Sequence, residues 1–98
     1  MKRIHFLPQA GVEVERETRY YRREAGPGVA GRFVRAIEQA TRVAMEFPDA
    51  GSAGPEDTRR LQVQGFPYSL FYRPIEDGVL VLAVAHHARE PNYWQSRQ

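Results

Sequence analysis

The sequence predicts an α+β domain: an N-terminal strand, an αα-hairpin and then three antiparallel strands (βααβββ), with the helices packed on one face of the sheet. Three observations predict it. Apolar residues recur at spacings of three and four over residues 8–25 and again over 29–44, the period of two amphipathic helices. From Arg60 onward the pattern changes to alternation, with aromatic and β-branched residues between turn signals. The chain has 98 residues, which is room for one hydrophobic core and hence one domain, 1–98.

Lys2 to Leu7 reads as a short strand, with Ile4 and Phe6 alternating against Arg3 and His5. Pro8 suits the first turn of a helix, where its missing N–H costs nothing. Ala10, Val14, Thr18, Tyr21 and Ala25 then mark one helix face from Pro8 to Ala25. Its acids come early (Glu13, Glu15, Glu17) and its arginines late (Arg19, Arg22, Arg23), which complements the helix dipole and reads as a solvated face. Gly26-Pro27-Gly28 stops this helix and opens the next. Val29, Phe33, Ile37, Ala40 (or Thr41) and Ala44 form the second stripe, which ends at Phe47-Pro48 because the residue before proline is pushed out of the helical region. So short a connection predicts a helical hairpin. Pro48 to Asp57 is a loop by composition.

Leu61 and Val63 alternate with Arg60, Gln62 and Gln64, and Gly65-Phe66-Pro67 breaks the run. Tyr68 to Arg73 follows, then a turn with Asp77-Gly78 at its tip. Val79 to Ala85 is continuously apolar, the pattern of a central strand covered on both faces. The expected core is Ile4, Phe6, Val14, Tyr21, Phe33, Ile37, Leu61, Val63, Leu70, Val81, Ala83 and Val84. The sheet face carrying Arg60, Gln62 and Gln64 is expected to be partly open.

Composition narrows the function. Hydrophobic residues are 42% and charged residues 27%, which excludes a disordered chain. No apolar run approaches the ~20 residues of a membrane span. The basic N-terminus lacks the apolar stretch of a secretory signal, so the expected compartment is the cytoplasm. With no cysteine, disulfides and thiolate metal sites are excluded. The net charge is +2, and thirteen of the fourteen basic residues are arginine, Lys2 being the exception. A GC-rich genome accounts for most of that bias, and so small a charge permits an acidic or nucleic-acid partner without demanding one.

No phosphate-binding glycine loop, zinc spacing or Gly-x-Ser-x-Gly is present, and no cofactor or metal is expected. His86 and His87 are adjacent, so on a strand they face opposite sides and cannot chelate one ion together. What remains is a cluster at the end of the last strand: His86, His87, Arg89, Tyr93 and Trp94, with Arg60 and Arg73 able to join by strand parity. Each residue taken singly has an ordinary structural role. As a group they place polar and aromatic chemistry where an apolar strand ends.

The ordered set of motifs resembles the RelE/ParE superfamily of toxins from type II toxin–antitoxin modules. The resemblance rests on Pro8-x-Ala10, Tyr20-Tyr21, Phe33, Phe47-Pro48, Arg60-Leu61, Gly65-Phe66-Pro67-Tyr68, Tyr72-Arg73 and Asp77-Gly78. It is densest from Leu82 to Arg97, whose His86-His87-x-Arg89-x-Pro91-x-Tyr93-Trp94 is similar to the tail of ParE-like plasmid stabilisation toxins. The resemblance implies growth arrest, a cognate acidic antitoxin with a helix and an extended tail, and a heteromeric toxin–antitoxin assembly.

Two active mechanisms are implied by that fold. ParE-like members are not enzymes; they bind DNA gyrase and trap it on DNA, for which Arg89, Tyr93 and Trp94 are the target-binding candidates. RelE-like members cut messenger RNA on the ribosome without metal, stabilising the developing phosphorane charge with converging cations. Matched to such a nuclease, Arg60 stands at a Lys position and Arg89 at the last-strand Arg, but Gln62 and Ser69 stand where two further cations belong. Donors of this kind are worth ~3–4 kcal/mol each, so two neutral positions weaken that chemistry. A rebuilt nuclease site would draw on Arg60, Arg73, His86, His87, Arg89 and Tyr93. A third reading is a non-toxic binding module of the same fold. In either active reading Arg89 is expected to lie on an aromatic surface, aimed outward.

Overall fold

A computed structural model describes residues 1–97. Strand β1 (Arg3–Phe6) leads directly into helix α1 (Pro8–Ala25), with Pro8 in its first turn. Gly26 alone separates α1 from α2 (Pro27–Glu46). Its φ of 93° lies in the left-handed region that glycine tolerates, and this lets one residue serve both helices. The Gly26 N–H donates to Arg22 O, and its carbonyl accepts the first bond of α2, from the N–H of Ala30. Both helices thus stop and start where the Gly-Pro and Phe-Pro signals place them.

The segment after α2 is more ordered than its loop-like composition implies. Ser52–Ala53 forms a two-residue strand, β2, and Pro55–Asp57 a single 3₁₀ turn. Strands β3 (Arg59–Gln62), β4 (Tyr68–Ile75) and β5 (Gly78–His86) follow as the expected antiparallel run. The sheet order is β1-β5-β4-β3-β2. β1 is parallel to β5, with Arg3 opposite Gly78 and Phe6 opposite Val81. Gly78 is required there: its φ is 152°, and a Cβ would fall 1.8 Å from Arg3 O.

The helices cover one face. Ala10 of α1 and Phe33, Ile37, Ala40 and Ala44 of α2 pack on Val63, Tyr68, Leu70, Tyr72, Val79, Val81 and Val84. Each buried Val, Leu, Ile or Phe side chain here is worth ~1.5–3 kcal/mol relative to exposure. Ile4, Val14, Tyr21 and Leu61 of the expected core are partly buried against it. Phe6 corrects the expectation. It is 38% exposed, because β1 is an edge strand and ends there.

β5 is covered on both faces, and a bulge explains its unbroken apolar run. Phe71 pairs with Ala83 and Tyr72 with Val81, so the register skips Leu82. Leu82 and Ala83 both join a second cluster with Trp94, on the face away from the helices, while Val81 and Val84 on either side join the helix-side core.

Candidate functional site

Strand parity builds the floor of a site on the face away from the helices. Arg60 lies beside Phe71, and Gln62 beside Ser69, which in turn faces Ala85. After β5 the chain turns at His86–Arg89, where the Arg89 N–H donates to His86 O, and runs back over this face through Asn92–Arg97. Trp94 anchors the return. Its ring lies against Phe71 at 4.6 Å between centroids, and the residue is 2% exposed.

Between floor and return segment lies a cleft of about 240 Å³. Arg60, His86, His87, Arg89, Tyr93 and Trp94 all line it, so six of the seven singled-out residues meet. Arg73 does not. It pairs with Leu80, four residues along β4 from Ser69, or about 13 Å at strand rise. Parity identifies a residue's face, not its height along the strand.

The two histidines both border the cleft but have different partners, because β5 ends at His86 and His87 lies in the turn beyond it. His86 packs edge-on against the Tyr68 ring, 5.0 Å between centroids, while His87 Nε2 lies 3.2 Å from Ser69 Oγ. Among the described residues no group of three metal-ligating side chains forms. Gln62 is engaged in local structure: its amide N–H donates to the carbonyls of Val63 (2.8 Å) and Phe66 (2.7 Å) and so braces the β3–β4 turn.

Arg89 lies with its guanidinium carbon 3.7 Å from the centre of the Tyr93 ring, and no ion pair with Glu76 or Glu90 forms among the described residues. It borders the cleft on one side and, on the other, a shallow depression that includes Val12 and Arg16 of α1. Val12 is among the exposed large hydrophobic residues.

Sequence reasoning missed Glu13 and Arg97. Glu13, read there as part of a solvated face, is 3% exposed. Its carboxylate accepts the N–H of Val84 (2.9 Å), the hydroxyl of Tyr93 (2.5 Å) and a two-pronged contact from Arg97 (3.1 and 3.0 Å). Arg97 donates further to Leu82 O at 3.0 Å. Burial, followed by the hydrogen bond and negative charge of Glu13, pushes the Tyr93 phenol up to about 12 despite the opposing charges of Arg89 and Arg97. Tyr93 is therefore a proton donor at any physiological pH. One signal was available: Glu13 falls three residues after Ala10, on the stripe that faces the sheet.

The fold agrees with the comparisons. The family model described as ParE toxin of type II toxin-antitoxin system, parDE, matches residues 4–91. The chain belongs to the ParE toxin family. Among solved structures, a chain of the chromosomal ParDE TA system from P. aeruginosa shares its fold at a TM-score of 0.74 and 18% identity, over 88% of this chain and 96% of that one. No curated protein matches the chain. As a ParE family member the protein is a type II toxin. No helix among the described residues is long and apolar enough to cross a membrane.

Proposed function

We propose that residues 1–98 act as one toxin domain that arrests bacterial growth in the cytoplasm by binding DNA gyrase, and that a cognate acidic antitoxin neutralises it. The observation that carries this reading over RNA cleavage is the state of the two neutral positions. Gln62 is engaged in bracing a turn, and Ser69 is bonded to His87. Cations therefore do not converge from three strands on one phosphate, as an in-line attack by a 2′-hydroxyl needs. Arg89 lying on the Tyr93 ring instead offers an outward charge on an aromatic support, residue types that dominate protein–protein contacts. Trp94, expected from the sequence as a target contact, is instead buried against Phe71 and anchors the segment. The basic, partly apolar outer surface of α2, with Arg32 and Arg35 beside Phe66, suits the acidic antitoxin.

The test is controlled expression in bacteria combined with a purified gyrase assay. Filamentous cells, an induced DNA-damage response and gyrase-dependent DNA breaks are expected, all relieved by the antitoxin. Rapid loss of translation with cleaved messages would instead assign ribosome-dependent cleavage to the Arg60, His87 and Arg89 cleft. Normal growth would assign a non-toxic binding role.

A further inference from the structure

β5 is longer than the strand beside it. β1 accompanies it only from Gly78 to Val81, and the last bond of that pairing runs from the Leu7 N–H to Val81 O. Beyond that point the backbone edge of β5 is satisfied by side chains: Val84 N–H donates to Glu13, and Leu82 O accepts from Arg97. The Glu13 carboxylate has about four acceptor positions, and Val84, Tyr93 and the two prongs of Arg97 use all of them. Filling the edge needs only the Val84 and Arg97 contacts. The bond to the Tyr93 hydroxyl is additional, and it fixes the far end of the ring on which Arg89 lies.

We propose that Glu13 is a positioning residue for the contact surface: through the Tyr93 hydroxyl it locks the ring that holds the Arg89 guanidinium beside the cleft. The proposal rests on the reading of Arg89 as a target contact. Its physical logic is preorganisation. An exposed arginine has many rotamers, and a ring fixed by a buried carboxylate removes freedom that binding would otherwise have to remove. The Arg97 guanidinium carbon also lies near this ring, 5.1 Å from its centre.

Tyr93→Phe separates positioning from folding, because it deletes one hydroxyl and leaves the ring, the Glu13–Arg97 pair and the Trp94 anchor in place. Trp94 is the protein's single tryptophan, so its fluorescence reports whether the return segment stays docked. The Arg89 Nε–Hε resonance, shifted by the Tyr93 ring current, reports where the guanidinium sits. With Tyr93→Phe, Trp94 emission is expected to stay unchanged while the Arg89 resonance moves toward its random-coil position. Growth arrest should then require about tenfold more toxin, the equivalent of one charge-assisted bond. Glu13→Gln should move the same resonance in the same direction. Combining Tyr93→Phe with Arg89→Ala should be no worse than Arg89→Ala alone. If Arg89→Ala is inactive while Tyr93→Phe keeps wild-type potency and an unmoved Arg89 resonance, the positioning role is overturned. If Arg89→Ala itself remains fully toxic, the reading of the surface fails and the proposal falls with it.

Discussion

On its helix side the sheet is closed by a 20-residue helix that inserts Phe33, Ile37 and Ala40 among the side chains of four strands. On the other side the cover is a run of turns, held by the Trp94 ring on Phe71 and by the contacts of one carboxylate. The polar groups differ in the same way. On the helix side the Tyr68 hydroxyl donates to Glu17, and burial with that carboxylate raises its phenol pKa; the Tyr72 hydroxyl donates to Pro48 O, and burial raises its phenol too. On the open side Arg60, His87 and Arg89 line a cleft. One face supplies stability through volume, the other presents chemistry through a thin layer, so changes on the two faces should be separable.

The largest effect is expected at Phe33, which is fully buried and contacts Tyr21, Phe66 and Tyr68 ring to ring. Phe33→Ala should cost ~3–5 kcal/mol and unfold the whole protein in a single transition, read by denaturant titration. Trp94→Ala should cost less, about 2–3 kcal/mol, because its cover can lift away rather than enclose a cavity. Hydrogen exchange is the discriminating measurement. Amides of residues 89–97 should lose protection while those of β4 keep it; equal loss in both would merge the two faces into one unit.

A smaller effect is expected in alkali. Because burial and Glu13 raise the Tyr93 phenol from 10.0 to about 12, its protonated form adds stability that is complete below pH 10 and lost as pH rises to about 12. Tyr93→Phe should flatten the fall in melting temperature across that window and change the melting temperature at neutral pH only slightly. The smallest change in stability belongs to Arg89→Ala, ~0.5–1 kcal/mol for an exposed cation on a ring, yet growth arrest should be lost. A toxic Arg89→Ala variant would show that the open face is structural like its counterpart.

The helix hairpin was legible because punctuation there is local: Pro8, Gly26-Pro27 and Phe47-Pro48 act within a residue or two of where they stand. The meeting of His87, Arg89 and Trp94 was legible because they follow one another at the end of one apolar strand. Glu13 was not, since its burial depends on β5 outrunning β1, a length mismatch between elements that are far apart in sequence. Arg73 was misplaced for a related reason: alternation specifies a side and is silent about distance along the strand. The bulge at Leu82 hides in a run of apolar residues that offers no alternation to interrupt.

The pairing of Arg3 with Gly78, and of Glu13 with Arg97, also orders events during synthesis. The first strand to leave the ribosome waits for β5, and α1 emerges with a carboxylate whose guanidinium has not yet been made. Such long-range closures form late, after local helices. The αα-hairpin can assemble on the nascent chain, but the sheet edge and the Arg89 platform cannot form until Arg97 has been made. A chain stopped short of Arg97 would leave Glu13 buried without its guanidinium, so a truncated product would lose the Arg89 platform before it lost its helices.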